Sequence, residues 1–139
     1  MAELNAYLKF RGNCREAMTF YQSCLGGRLH LMTVGETPAV RDSMPSAMLE
    51  KIMHSVPTSD KVMLMGSDLA DQDTYSQGNA LTICLVCKSR DEIDTLFAKL
   101  SESGKVTTPL SAMFFGLYRD FTDQYGFNWM LQYGDAASM

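Results

Sequence analysis

The stretch Ser89-Arg-Asp-Glu-Ile-Asp-Thr-Leu-Phe-Ala-Lys-Leu100 is organised in the same way as Asn13-Cys-Arg-Glu-Ala-Met-Thr-Phe-Tyr-Gln-Ser-Cys24. Each stretch begins with a residue that favours helix N-termini, and Glu follows three positions later, which is the capping-box pattern. Each then carries apolar residues at spacings i, i+3, i+4 and i+7, which are typical of an amphipathic helix. The sequence therefore predicts two matched helices, the first ending at Gly26-Gly27 and the second before Gly104.

Strand-like runs surround both predicted helices in the same order. One run precedes each helix, at residues 4–10 and 80–86. Three runs follow each helix, at residues 28–34, 51–56 and 61–65 in the first half, and at 105–108, 114–121 and 127–133 in the second. The order β-α-β-β-β therefore occurs twice, which indicates one supersecondary unit used twice in an α+β fold.

The repeats divide the 139 residues into one domain with an internal linker. Repeat 1 is expected at about residues 3–66 and repeat 2 at about 80–133. The linker, residues 67–79, is rich in Asp, Ser, Gln and Gly. Residues 35–48 contain two prolines and mixed polarity, so we expect a mobile loop there.

Composition and charge narrow the function classes. The hydrophobic fraction is 46% and the charged fraction 20%, which suits an ordinary globular domain. The net charge of −4 gives no long-range attraction to nucleic acid or to an anionic membrane. The N-terminus shows no basic cluster followed by an apolar run, and no apolar stretch reaches the roughly 20 residues that span a bilayer. We therefore expect no nucleic-acid or membrane partner and a cytoplasmic location.

Four cysteines, Cys14, Cys24, Cys84 and Cys87, are expected to be free thiols. The last two form a CxxC pattern, which can bind a metal or act as a redox pair. Residues 81–87 resemble a buried strand, however, in which positions i and i+3 point to opposite faces. With no second CxxC to complete a zinc site, two small core residues are the favoured interpretation.

Several quoted segments together resemble a known family. These are the opening Tyr7-Leu-Lys-Phe-Arg-Gly-Asn-Cys-Arg-Glu-Ala-Met-Thr-Phe-Tyr21, the short runs Ile52-Met-His54 and Met63-Leu-Met-Gly-Ser-Asp68, and the closing Asp123-Gln-Tyr-Gly-Phe-Asn-Trp-Met130. The chain resembles the glyoxalase, bleomycin-resistance and extradiol-dioxygenase superfamily, also called vicinal oxygen chelate, and within it the PhnB-like branch. The resemblance implies a cup-shaped mixed sheet with the helices outside, a ligand in its concave interior, and a homodimer.

Metal-using members of this superfamily hold a divalent metal with His, Gln or Glu on the first and last strands of each repeat. Carried onto this chain, those positions fall on Asn5 or Ala6, on residues 63–65, on Leu81 or Thr82, and on Met130. None of these is a usual ligand for a divalent metal, and methionine thioethers suit only Cu(I). Neither of the chain's two histidines, His30 and His54, falls at one of these metal-ligand positions. We therefore expect no metal and no other cofactor.

His54 is the candidate catalytic residue, because an imidazole facing the cup could donate or accept a proton near neutral pH. A histidine satisfied by hydrogen bonds in the core, or exposed at the mouth, is the favoured alternative. Asp68 and Asp123 lie in turn-like contexts and are interpreted as turn and capping residues rather than as catalytic acids.

The last strand suggests where a ligand would bind. Its period of two sends Asn128, Met130 and Gln132 to one face, which we expect to line the cup. The opposite face, including Trp129 as a core anchor, is expected to pack under the helices. The candidate ligand-binding residues are Met63, Met65, Thr82, Phe115, Tyr118, Asn128 and Met130. Methionine and aromatic side chains with a few polar groups suit a small apolar or aromatic molecule.

Four interpretations of the function remain open from the sequence. The favoured one is a metal-independent small-molecule-binding protein. The first alternative is a metal-free lyase or isomerase type of enzyme that uses His54 as an acid or base, and another is a metal-dependent superfamily enzyme with non-standard ligands. A scaffold whose pocket is filled by its own side chains is the least specific interpretation.

Overall fold

Two copies of one element order make up the computed structural model, which describes residues 2–58, 62–69, 73–114 and 116–134. The first copy contains β1 (Ala6–Lys9), α1 (Cys14–Leu25), β2 (Arg28–Thr33), β3 (Ile52–Thr58) and β4 (Leu64–Ser67), with a short helix α2 (Pro38–Arg41) between β2 and β3. The second contains β5 (Ile83–Val86), α3 (Arg90–Leu100), β6 (Lys105–Met113), β7 (Gly116–Thr122) and β8 (Asn128–Tyr133).

Each copy forms its own four-stranded mixed sheet. The strand orders are β1-β4-β3-β2 and β5-β8-β7-β6. In both sheets the first and last strands of the unit pair in parallel, and the remaining neighbours pair antiparallel. The chain divides into two compact units, Met1–Tyr75 and Ser76–Met139. The predicted α+β fold of two βαβββ repeats is confirmed.

Several boundaries differ from the sequence prediction. The predicted loop at residues 35–48 contains α2 and a 3-10 turn at Ser46–Met48. Strand β6 continues to Met113, well beyond the predicted end at residue 108. Pro109 is tolerated within it because β6 is an edge strand whose pairing with β7 is irregular between Thr108 and Ser111, so no regular ladder bond is lost there.

The N-terminus of α1 is stabilised by a residue that the capping-box pattern does not include. The Asn13 side chain forms no cap hydrogen bond. Instead Oδ1 of Asp68 accepts hydrogen bonds from the backbone N–H groups of Gly12 at 2.8 Å and Cys14 at 2.9 Å, and its Oδ2 accepts one from Ile52 N–H at 2.8 Å. Asp68 therefore ties the end of β4 to the start of α1 and of β3, and its interpretation as a capping residue is confirmed.

Ser89 caps the N-terminus of α3 as predicted, and the reciprocal bond of Glu92 goes to the residue before the cap. Oγ of Ser89 accepts a hydrogen bond from the Glu92 backbone N–H at 3.0 Å. The Glu92 carboxylate in turn accepts one from the Lys88 backbone N–H at 2.9 Å. Local residues are sufficient here, so the sequence pattern identified the helix start correctly.

Trp129 anchors the core of the second unit, as predicted, with none of its surface exposed. Its indole Nε1 donates a hydrogen bond of 2.7 Å to Oδ2 of Asp123. Oδ1 of Asp123 accepts from the backbone N–H groups of Tyr125 and Phe127. One buried carboxylate thus closes the turn between β7 and β8 and satisfies the buried indole, which confirms Asp123 as a turn residue.

The predicted linker is held at two points. The Tyr75 hydroxyl donates to the Lys9 carbonyl oxygen at 2.7 Å, and the Arg11 guanidinium lies 4.6 Å from the centre of the Tyr75 ring. Gln77 donates from Nε2 to the Tyr125 carbonyl oxygen at 2.7 Å. The boundary between the two compact units falls between these anchors, at Tyr75 and Ser76.

Candidate ligand-binding faces

Each sheet has one face covered by its long helix and one face on the other side, which we call the open face. In the second unit the helix side is identified by its buried residues Phe121, Trp129 and Leu131, none of which is exposed. The Phe97 ring of α3 packs edge-on against Phe121 at 5.5 Å between ring centroids. Because side chains alternate along a strand, the residues between these buried positions lie on the open face.

The open face of the second sheet carries a compact array of side chains. Strand register places them in rows, with directly opposite Cβ atoms about 5 Å apart. Each row runs from β5 through β8 to β7. Two complete rows are Cys84–Met130–Asp120 and Val86–Gln132–Tyr118. A third row pairs Asn128 with Thr122, and Thr82, which precedes β5, lies beside Asn128. Met130 lies at the centre of this array. Four of the predicted ligand-binding residues, Thr82, Tyr118, Asn128 and Met130, therefore share one surface.

Hydrogen bonds fix the polar groups of this array. Thr122 donates from Oγ1 to Oδ1 of Asn128 at 2.9 Å, and Nδ2 of Asn128 donates to the Leu81 carbonyl oxygen at 3.3 Å. The Thr107 hydroxyl donates to Oδ1 of Asp120. The polar side chains around Met130 are thus held in place by their neighbours, which lowers the entropy cost of using them to orient a ligand.

The open face of the first sheet carries the remaining candidates. Met65 alternates with the buried Leu64 and pairs with Tyr7 across the parallel strands. The rings of Tyr7 and His54 lie 6.2 Å apart, which places His54 on the same side. Met32 is directly opposite His54 on β2, and Met63 precedes β4 with 37% of its surface exposed. Three of the predicted site residues, His54, Met63 and Met65, therefore belong to this second methionine-rich surface.

The predicted site residues thus fall into two groups, one in each compact unit. His54, Met63 and Met65 belong to the first unit and Thr82, Tyr118, Asn128 and Met130 to the second. Phe115 lies outside the residues that the structure describes.

Sequence reasoning missed Tyr7 and Met32 on the first face, and Cys84, Val86, Asp120 and Thr122 on the second. A period of two counted from Tyr118 on β7 predicts that Asp120 shares its face. The same period counted from Thr82 along β5 predicts that Cys84 shares the face of Thr82.

The CxxC pair is split between environments. Cys87 is buried, as predicted, whereas Cys84 is exposed on the open face, so its prediction as a core residue is wrong. Burial, together with the nearby Glu92 and Cys84, raises the pKa of the Cys87 thiol to about 11. Burial also raises the pKa of Cys84. Both groups are therefore thiols rather than nucleophilic thiolates at neutral pH.

At the parallel strand pairs, the donor atoms do not match those that divalent metals prefer. The parallel strand pairs bring Tyr7 beside Met65 in one unit and Cys84 beside Met130 in the other. Thioethers are soft donors, whereas the divalent metals that bind oxygen and nitrogen prefer carboxylates, amides and imidazoles. Within the described ranges, no three His, Cys, Asp or Glu side chains group closely enough to hold a metal ion.

A groove of about 1280 Å³ lies on the first unit away from these residues. The start of α1 and the segment around Lys51 line it, and none of the predicted site residues does. Its lining carries charges of both signs, from Arg15 and Lys51 and from Glu16, Glu50 and Asp68. The predicted ligand site is therefore separate from this groove.

Two βαβββ units, each with a helix on one side of a mixed sheet and an open face on the other, define the glyoxalase type of fold. The chain belongs to the Glyoxalase/Bleomycin resistance protein/Dioxygenase superfamily, whose family model matches residues 3–131. In the part of the chain that is described, no helix is long and apolar enough to cross a membrane.

Several relatives match nearly the whole chain. Protein YjdN of Escherichia coli strain K12 is 30% identical over 138 residues, which cover 92% of each chain. The crystal structure of protein PA1353 from Pseudomonas aeruginosa is 32% identical with a TM-score of 0.81, covering 96% of this chain and 98% of that one. A Bacillus cereus structure described as a putative 3-demethylubiquinone-9 3-methyltransferase, PhnB protein, is 24% identical with a TM-score of 0.70, covering 96% and 100%. The resemblance to the PhnB-like branch is confirmed at the level of the fold.

Proposed function

We propose that this protein binds a small apolar or aromatic molecule on its open sheet faces without using a metal. The observation that carries the proposal is the central position of Met130, surrounded by Tyr118, Asn128 and Thr82. A polarisable thioether beside an aromatic ring provides apolar contact, and a few fixed polar groups provide orientation. Met65, Met63 and His54 offer a similar combination in the first unit.

Metal independence is supported by the chemistry of the side chains at the positions that metal-using relatives employ. Elemental analysis of purified protein tests it, and we expect far less than one equivalent of any divalent metal per chain. One equivalent of zinc, nickel or iron would contradict the proposal and would favour a metal-dependent enzyme with non-standard ligands.

Binding itself is tested by a thermal-shift screen of chelator-treated protein against small aromatic and apolar compounds. For a compound that raises Tm, Met130→Ala is expected to weaken binding about tenfold, since truncating a central contact residue commonly costs 1–2 kcal/mol. Met48→Ala is the matched control, because Met48 lies in a 3-10 turn rather than on a strand of either sheet. Equal affinities of the two variants would contradict the assignment of the site.

A metal-free enzyme is the second candidate, and the contact between Tyr7 and His54 favours it. A histidine beside a phenol on an accessible face is a reasonable acid-base pair. His54→Ala separates the two functions, with Met48→Ala as the control because Met48 lies in a 3-10 turn rather than on a strand of the sheet. Turnover lost in the first variant with ligand affinity retained would establish the enzyme. If His54→Ala binds the ligand as tightly as the wild type does, and the wild type shows no turnover, the result supports a binding protein rather than an enzyme.

The methyl transfer named for the Bacillus cereus protein is not carried over to this chain. Methyl-donor enzymes of the usual kind use a glycine-rich turn after a strand of a doubly wound parallel sheet. Both sheets here are mixed, and no two glycines in the sequence are separated by a single residue.

A homodimer in the cytoplasm completes the proposal, with no nucleic acid or membrane as partner. Light scattering of the protein as it elutes from a size-exclusion column is expected to give a mass twice that of one chain, which is 15.5 kDa. A mass of one chain at micromolar concentration would contradict the dimer. Recovery of the protein in the membrane fraction of lysed cells would contradict the location.

A further inference from the structure

We propose that the open face of the second sheet selects ligands that carry a positively charged group, such as an organic ammonium, and that Asp120 is the residue that selects them. The inference rests on the proposed function and deepens it, because it names the charge of the ligand class. It concerns residues of the second unit alone.

Asp120 occupies the position on β7 directly opposite Met130, the centre of the array. Its Oδ1 accepts a hydrogen bond from the Thr107 hydroxyl. In the described part of the chain, neither a second hydrogen bond nor a salt bridge involves this carboxylate, so Oδ2 is available to a ligand. A half-buried carboxylate with one hydroxyl partner keeps much of its capacity to accept hydrogen bonds from a cation.

The surroundings of Asp120 leave its charge uncompensated within the array. The other members of the array are uncharged, namely Thr82, Cys84, Val86, Tyr118, Thr122, Asn128, Met130 and Gln132. Arg119, the adjacent residue, lies on the helix side, where its guanidinium stacks 3.5 Å from the centre of the Phe97 ring and pairs with Asp94. Lys105 lies opposite Thr122 at the corner of the face, is exposed, and forms no salt bridge with Asp120.

The neighbours of Asp120 suit the rest of such a ligand. Tyr118 lies two residues earlier on the same side of β7, about 7 Å away along the strand. Its ring can contact an aromatic body or stabilise a cation through its π face. Met130 offers apolar contact between them. A ligand whose ammonium group is one carbon away from an aromatic ring would satisfy all three, whereas an anionic ligand would meet an unpaired carboxylate and be disfavoured.

The test compares two probes of the same shape, 2-naphthylmethylammonium and 2-naphthylmethanol, by calorimetric titration at low ionic strength. We expect the ammonium to bind the wild type roughly tenfold more tightly than the alcohol, since only the ammonium forms an ion pair with the carboxylate, and a tenfold difference corresponds to about 1.4 kcal/mol. Asp120→Asn keeps the shape and the Thr107 contact, and it is expected to remove the difference while leaving the affinity of the alcohol unchanged. The advantage should also shrink in 0.5 M salt.

Asp42→Asn is the matched control, because the Asp42 side chain is 88% exposed in the first unit and lies outside both faces. It should keep the tenfold preference. Equal affinities of the two probes for the wild type, or a preference that persists in Asp120→Asn, would overturn the inference while leaving the proposed function in place. If neither probe bound and no other aromatic compound displaced the Met130 methyl resonance, the proposed function and the inference would both fail.

Discussion

Asp68→Asn is a substitution of nearly identical shape at a residue that organises three elements of the first unit. The Asp68 side chain is buried, and both carboxylate oxygens accept backbone hydrogen bonds, two at Oδ1 and one at Oδ2. An amide has one oxygen and one NH₂ group. Whichever way it is turned, its NH₂ must face at least one backbone N–H donor, and neither group is then satisfied.

The expected cost follows from these three bonds. Hydrogen bonds to charged groups contribute about 1.5–3 kcal/mol each, and a buried unsatisfied donor costs about 1–3 kcal/mol. If the amide oxygen keeps the bonds to Gly12 and Cys14, the bond to Ile52 is lost and the remaining two are weakened by the loss of charge. We expect a decrease of about 3 kcal/mol in the free energy of unfolding, which is a large part of the 5–15 kcal/mol typical of a domain.

Urea denaturation followed by far-UV circular dichroism measures this decrease. With a slope of about 1.5 kcal/mol per molar urea, the midpoint should fall by about 2 M. Asp42→Asn serves as the control for loss of one negative charge and should change the free energy by less than about 0.5 kcal/mol. Faster hydrogen exchange at the Ile52 amide should accompany the change. A midpoint for Asp68→Asn equal to that of the control would refute the role given to this carboxylate.

Other predictions concern the second unit. Gly116→Ala should destabilise the protein by more than about 1 kcal/mol in urea denaturation, because Gly116 has a φ of +128° and an added Cβ would collide with the Tyr133 carbonyl oxygen; an unchanged midpoint would contradict this. The Cys87 thiol should titrate with a midpoint near 11 when its Cβ chemical shift is followed by NMR. Because folding raises this pKa, the free energy of unfolding should decrease as pH rises from about 9 to 11. A midpoint near 9 would show that burial does not act on it. Trp129→Phe should cost about 2–3 kcal/mol by removing the buried bond to Asp123, and a cost below 0.5 kcal/mol would argue against that bond.

Local patterns identified the elements that local forces determine. The stripe of α3 and its cap at Ser89 use contacts within four residues, and both were predicted correctly. The period of two on β8 correctly predicts that Trp129 is buried, because alternation is a property of a single strand.

Long-range contacts explain the errors. The cap of α1 was assigned to Asn13, but the carboxylate that serves it is Asp68, more than 50 positions along the chain from Gly12 and Cys14. The period of two from Tyr118 gives the face of Asp120, but its place directly opposite Met130 depends on the register between β7 and β8, which the sequence does not specify. A single strand predicts which of its residues face outward, and only the register between strands brings such residues together in a site.

The eleven methionines of the chain allow a direct measurement of where a ligand binds. Methyl-labelled, chelator-treated protein would be titrated with an aromatic compound that raises its Tm, and the methionine methyl resonances would be followed by NMR. We expect saturable shifts at Met130 on the open face and none at Met18, a residue of α1 that is buried with 1% of its surface exposed. Shifts confined to other methionines, or binding that appears only after a divalent metal is added, would contradict metal-independent binding at the open face.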